Sequence, residues 1–147
     1  MRKGNVFEAH INKLIKYCTD NGFEAHKNNA QRTLDGTYIK GEPFDYEIFI
    51  PGLLICFDAK ECNSDKWAIT NAKPEQIWHL RACKRAGMWA FFYVWYRKKN
   101  RLVAFDVDFI CRTDKKSLLP TDGEEVNIAD VIQRHIVTIS EGKKNRE

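Results

Sequence analysis

Apolar residues recur at helical spacing near the start of the chain. Phe7, Ile11, Leu14, Ile15 and Cys18 form one stripe on a helix predicted over residues 3–20. Asn21-Gly22 stops it, because both residues accept the left-handed backbone that a helix end uses. A strand is predicted over 23–27. Residues 28–41 are polar and turn-rich, with Asp35-Gly36 as a tight turn. Two strand-like runs, 44–50 and 53–60, flank Pro51-Gly52, a turn signal that predicts a β-hairpin. Residues 63–73 read as a loop. Pro74 suits the first turn of a helix, where its missing N–H costs nothing. That helix carries Ile77, Leu80 and Cys83 on its apolar side and ends at Gly87. Residues 88–96 are so dense in aromatics that they read as a strand buried on both faces. A charged hairpin turn, Arg97-Lys98-Lys99-Asn100-Arg101, leads into a return strand over 102–107. Residues 126–139 read as a short helix followed by a strand, and the tail from Gly142 to Glu147 reads as loose. The order α-β-β-β-α-β-β, with a crossover helix before a buried strand, predicts an α/β sandwich.

The chain has 147 residues, the size of a single domain able to bury a core without covalent staples. At 44% hydrophobic and 30% charged residues, its composition excludes wholesale disorder. The longest apolar run, 88–96, falls short of the roughly 20 residues that a membrane span needs. Arg2 and Lys3 open an amphipathic pattern and not a secretory leader. The expectation is a soluble, intracellular, single-domain protein with no membrane partner. A net charge of +4 is compatible with a nucleic-acid partner without demanding one.

Cys18, Cys56, Cys62, Cys83 and Cys111 are odd in number and contain no C-x-x-C pair. Reduced thiols are expected, with neither a disulfide framework nor a zinc site. His10, His26, His79 and His135 show no metal-ligand spacing, and His79 is expected on a helix surface or in the core. The tryptophans at 67, 78, 89 and 95 are expected in the core or at an interface. Trp67, in a loop, is also placed to touch DNA.

The informative stretch is Glu42-Pro43-Phe44-Asp45-Tyr46 followed by Phe57-Asp58-Ala59-Lys60-Glu61. Side chains alternate along a strand, so Asp58 and Lys60 share a face and Ala59 points away. Pro51-Gly52 lies midway between Asp45 and Asp58, so the hairpin carries both carboxylates to one end. Two converging carboxylates suit a hard divalent cation, Mg²⁺ or Mn²⁺. Such a cation activates water and offsets charge on a phosphate, and Lys60 is positioned to orient the water or neutralise that charge. Set against this, an Asp and a Lys near a strand end commonly form only an exposed ion pair. The apolar run Leu53-Leu54-Ile55-Cys56-Phe57 that delivers Asp58 argues for burial, and buried charge calls for a partner.

Asp45 followed by Asp58-Ala59-Lys60 on a hairpin resembles the PD-(D/E)XK nuclease superfamily, and within it the RecU-type Holliday-junction resolvases. Gly4-Asn5-Val6-Phe7-Glu8 is similar to that family's opening helix. Asp45-Tyr46 is similar to its first metal-binding position. Phe57-Asp58-Ala59-Lys60-Glu61 is similar to its core, with aspartate where glutamate is commoner. Gln76-Ile77-Trp78-His79-Leu80 is similar to its glutamine-bearing second helix. The resemblance covers residues 4–96. The literal Pro-Asp pair is absent, because Phe44 separates Pro43 from Asp45. The stalk that such resolvases insert before the first aspartate is shortened to residues 28–44, as in a compact, phage-type member.

The resemblance implies a restriction-endonuclease-like mixed β-sheet flanked by helices. It implies Asp45 and Asp58 as ligands of Mg²⁺ or Mn²⁺, with the Ala59 carbonyl as a third. It implies Lys60 as the catalytic lysine, Glu8 reaching the metal through water, and Gln76 holding the water or Lys60. Branched DNA is the implied partner, cut by a homodimer in the cytoplasm of a bacterial or phage-infected cell. Apolar surface from the first helix or from residues 88–96 is expected at the dimer interface. Arg32, Arg81, Lys84, Arg85, Lys98 and Lys99 are candidate phosphate contacts. Two other functions fit the same residues: a restriction- or repair-type nuclease, and a non-catalytic DNA-binding protein on the same fold.

Overall fold

The computed structural model describes residues 5–28 and 45–146, with side chains described for 6–28 and 46–143. Eight strands and four α-helices are present among the described residues. Strands β1 (Glu24–Lys27), β2 (Asp45–Ile50), β3 (Leu53–Cys62), β5 (Trp89–Tyr96), β6 (Arg101–Asp106) and β8 (Glu124–Glu125) form one sheet in the order β1-β2-β3-β5-β6-β8. β3 and β5 run parallel and every other neighbouring pair is antiparallel, so the sheet is mixed. The remaining two strands, β4 (Trp67–Ala68) and β7 (Ser117–Leu118), pair separately.

One face of the sheet carries α1 (Asn5–Asp20) and α4 (Ile128–Arg146). Phe7, Ile11, Leu14 and Cys18 from α1 and Ile128, Ile132 and Ile136 from α4 pack on Tyr46, Ile48, Ile55, Phe57, Phe91 and Tyr93. The other face carries α2 (Pro74–Arg85), α3 (Val107–Arg112) and the β4–β7 ribbon. There Leu80, Val107, Ile110, Trp67 and Leu118 cover Cys56, Phe92, Val94 and Phe105. Each strand residue therefore faces one of two cores, and this alternation decides which side chains meet at the site. The expected mixed α/β sandwich is what forms.

The hairpin closes at Pro51-Gly52, where Gly52 takes a φ of +81° that disfavours other residues. His135 of α4 contacts the Pro51 carbonyl oxygen at 2.7 Å, fixing the hairpin tip from below. β5 is interior on both faces and both edges, as its aromatic density predicted. Within residues 88–96 only Met88, Trp89 and Trp95 keep part of their surface open.

Four differences from expectation have local causes. Residues 128–146 form one helix and not a helix plus a strand, and the tail expected loose from Gly142 is helical to Arg146. The β-branched residues favour a strand locally, but Ile128, Ile132 and Ile136 recur every fourth position and bury together. The return strand stops at Asp106, whose Oδ1 accepts the Asp108 N–H at 2.8 Å and caps α3. The loop 63–73 contains β4, and Trp67 is only 2% exposed, so it belongs to the core and not to a DNA surface. The tight turn expected at Asp35-Gly36 lies outside the described residues. Among the described residues, no helix is long and apolar enough to cross a membrane.

Candidate active site

The β2–β3 hairpin places Asp45 directly opposite Asp58 in register. Directly opposed residues of antiparallel strands lie on one face, about 4.5–5.5 Å apart between Cβ atoms. The pairing follows from the turn: Ile50 meets Leu53, and counting outward brings Asp45 to Asp58. The side chain of Asp45 lies outside the described ones. Asp58 is 2% exposed, at the end of the buried run Ile55-Cys56-Phe57. Two residues on, Lys60 returns to the same face, and its Nζ stands 3.4 Å from Asp58 Oδ1. Lys60 keeps a fifth of its side chain exposed, so its charge reaches solvent while Asp58 stays covered.

Gln76 enters from α2 on that face and is 5% exposed. Its Oε1 accepts the Lys73 N–H at 3.0 Å, so it also caps the helix that carries it. Its amide hydrogens are the donors that it has to offer a ligand. Among the described residues, Asp58 and Gln76 are the only buried polar or charged side chains. Burying polar groups is expensive, and here the cost falls on two positions of the same small region.

Glu8 arrives from α1, on the opposite layer. It forms an ion pair with Lys27 of β1, and Lys27 lies opposite Tyr46 in register. Burial pushes the Tyr46 hydroxyl up to about 12, and the negative charges of Glu8 and Asp58 add to the shift. Both acids therefore act at the same end of the sheet. Lys27 carries no signal in the sequence, and Tyr46 is marked there only as the neighbour of Asp45. Only the pairing of the edge strand shows that they join Glu8 to this end. Glu61 is held from the next turn by Arg97, Nη1 to Oε1 at 3.1 Å.

The candidate phosphate contacts divide. Lys98 and Lys99 are exposed in the turn after β5. Cys62 pairs with Tyr96, so that turn stands at the Lys60 end of the parallel strands. Arg81, Lys84 and Arg85 lie five to nine residues beyond Gln76 on α2, roughly 7–14 Å further along the helix at 1.5 Å per residue. Lys84 is engaged by Asp106 at 2.7 Å and Asp108 at 2.9 Å, and these acids raise its pKa. Arg32 lies outside the described residues.

The donors at Asp58, at Asp45 across the ladder, and at the Ala59 carbonyl one peptide on are all oxygen. They fit Mg²⁺ or Mn²⁺, and the lysine at 3.4 Å offsets part of the buried charge.

A second group sits immediately beside them on the same face. Glu47 of β2 pairs with Cys56 of β3, and α2 supplies His79 and Cys83. One donor atom from each lies within 4.8 Å of the others. The thiol of Cys83 is lowered from 9.0 to about 6, chiefly by a hydrogen bond with Cys56 and further by His79, against the effect of burial. The expectation that no histidine has metal-ligand spacing fails at His79. His79 and Cys83 stand one helical turn apart, an H-x-x-x-C signal that a search for C-x-x-C passes over.

The family model described as recombination protein U, RecU, matches residues 2–142. No curated protein matches the chain. The mixed six-stranded sheet flanked by helices is consistent with a restriction-endonuclease-like fold.

Proposed function

The chain belongs to the recombination protein U family, and from that premise we propose that it is a divalent-metal-dependent endonuclease that resolves four-way DNA junctions by paired phosphodiester cleavage. The observation that carries the reading is the burial of Asp58, directly across the ladder from Asp45 and 3.4 Å from Lys60. A buried carboxylate calls for compensation, and two carboxylates facing each other across the ladder carry more negative charge than Lys60 alone offsets.

Asp45, Asp58 and the Ala59 carbonyl would hold the cation. When bound, Mg²⁺ or Mn²⁺ supplies Lewis-acid stabilisation of the charge that builds on the phosphate. Lys60 adds a fixed positive charge beside the scissile phosphate and needs no reorganisation during the reaction. Gln76 donates an amide hydrogen to the attacking water or to a phosphate oxygen. Glu8, steadied by Lys27, orients water at the outer side of the site. Lys98 and Lys99 take backbone phosphates beside the Lys60 end, and Arg81 and Arg85 extend that contact along α2. Arg32 is proposed for the same role, whereas Lys84 is committed to Asp106 and Asp108.

Cleavage of a synthetic four-way junction, a duplex, a flap and a single strand in Mg²⁺ tests this reading. The junction is expected to be cut in preference, with activity lost in EDTA. Ca²⁺ is expected to support binding without efficient cleavage. Equal cutting of duplex and junction would replace it with a restriction- or repair-type nuclease. Full activity in EDTA would remove the metal mechanism.

Two symmetric cuts call for two sites, and a two-fold dimer matches a two-fold substrate. We therefore propose a homodimer acting in the cytoplasm. First-helix surface around the exposed Val6, with the part-exposed Trp95 beside it, is the expected contact. Sedimentation is expected to give a dimer at micromolar concentration. A monomer both free and on DNA would overturn it.

A further inference from the structure

We propose that Glu47, Cys56, His79 and Cys83 form a second, zinc-class metal site that fastens α2 to the β2–β3 hairpin beneath the carboxylate site.

The geometry of the donors carries the proposal. His79 Nε2 stands 3.3 Å from Glu47 Oε1 and 3.5 Å from Cys83 Sγ. A tetrahedral ion has bonds of about 2.0–2.1 Å to nitrogen and oxygen and about 2.3 Å to sulfur. Its nitrogen–oxygen and nitrogen–sulfur edges are then roughly 3.3 Å and 3.5 Å. Cys56 is fully buried and lies across the ladder from Glu47, and its donor falls within the same 4.8 Å limit.

Nε2 faces the Glu47 carboxylate and the Cys83 sulfur together, and a cation at the centre of the four donors would hold all of them at once.

The surroundings match a ligand set. Glu47 Oε1 also accepts from Asn28 Nδ2 at 2.7 Å, and His26 Nε2 approaches Glu47 Oε2 at 3.7 Å. Metal-ligating carboxylates are commonly held by such outer hydrogen bonds. Two sulfurs, one nitrogen and one carboxylate select zinc over magnesium, whereas the neighbouring all-oxygen set selects the reverse. Four protein donors leave no open position, so the site is structural. Each strand ligand lies two residues from a carboxylate of the cleavage site: Glu47 from Asp45, and Cys56 from Asp58. His79 lies three residues from Gln76. The ion thus joins the three elements that carry those residues.

The inference is independent of nuclease activity and is tested by metal content. Full-length protein purified without chelator, in a thiol reductant, is expected to retain one equivalent of Zn²⁺ by mass spectrometry. Exchange for Co²⁺ is expected to give the visible bands of a tetrahedral site and thiolate-to-cobalt charge transfer. Cys83→Ser and His79→Gln are expected to lose that spectrum. Asn28→Ala, outside the ligand set, is expected to weaken Co²⁺ binding about 10-fold. Asp58→Asn is expected to leave the spectrum unchanged. Folded wild-type protein that binds neither ion, or gives no thiolate transitions with Co²⁺, would overturn the proposal. So would loss of the Zn²⁺ in Asp58→Asn.

Discussion

Asp58→Asn is expected to reduce junction cleavage by at least ~100-fold, the loss typical of removing one strong electrostatic stabiliser, while junction affinity is retained. The asparagine keeps the shape of a side chain that is 2% exposed, so the packing against β2 and α2 stays filled. It removes the charge that would hold the cation and that now faces Lys60 Nζ at 3.4 Å. Affinity for the junction rests on lysine and arginine contacts to phosphates, which need no cation at Asp58, and one less negative charge beside the backbone favours them slightly. A neutral amide is cheaper to bury than a carboxylate, so the melting temperature is expected to be kept. Gel shift, cleavage and thermal melting on one preparation read all three quantities. Near wild-type cutting would make Asp58 a structural residue. Loss of binding with an unchanged melt would move it to the DNA contacts.

That Asp58 is open to such a test reflects how much of the hairpin is legible in the sequence. Pro51-Gly52 marks the turn, and two strand-like runs of matching length flank it. Once the turn is placed, opposing Asp45 and Asp58 is a matter of counting, and the observed register agrees. The helices with wide apolar stripes were legible from their period. Short elements were not. α3 has six residues and β4, β7 and β8 have two each, too few for any period to show. The β-branched residues in the second half of α4 favour a strand locally, whereas its helical form depends on burying a face against β2, β3 and β5.

The site shows the same division between local and long-range information. Asp58 and Lys60 are two residues apart, and their shared face is a property of any strand. Gln76 is implied only by the family resemblance, and its burial depends on α2 packing across β3, which no local pattern contains. The pairing of Glu8 with Lys27 joins positions 19 residues apart through an edge strand. The group Glu47, Cys56, His79 and Cys83 draws on three elements, and only the helical pair His79 and Cys83 leaves a mark in sequence. Distance along the chain, more than chemical type, decided which partners were visible.

Trp67 takes the core place expected of the tryptophans and not the DNA contact its loop position also allowed, and its substitution gives the largest expected loss of stability. Trp67→Ala is expected to destabilise the fold by about 3–5 kcal/mol, the usual range for truncating a buried tryptophan. Its ring lies 6.0 Å from Phe105 at an interplanar angle of 13° and 5.8 Å from Phe92 at 40°, beneath α2 and α3. Its backbone pairs with Leu118, so the same residue closes the β4–β7 ribbon over that core. Just before it, Cys62 Sγ contacts the Ser64 and Lys66 carbonyl oxygens at 3.3 Å, which sets the path of the loop into β4. Removing the ring therefore leaves a cavity that rigid strands on one side and a tied loop on the other cannot collapse to fill. For a chain of this length the loss corresponds to a fall in melting temperature on the order of 10 °C. Thermal melts of Trp67→Ala and Trp67→Phe check it, with the phenylalanine variant expected to recover part of the loss. A tryptophan that stacked on DNA would behave oppositely: the alanine variant would melt like the wild type and bind the junction more weakly. That pair of results would place Trp67 on the DNA surface and displace it from the core.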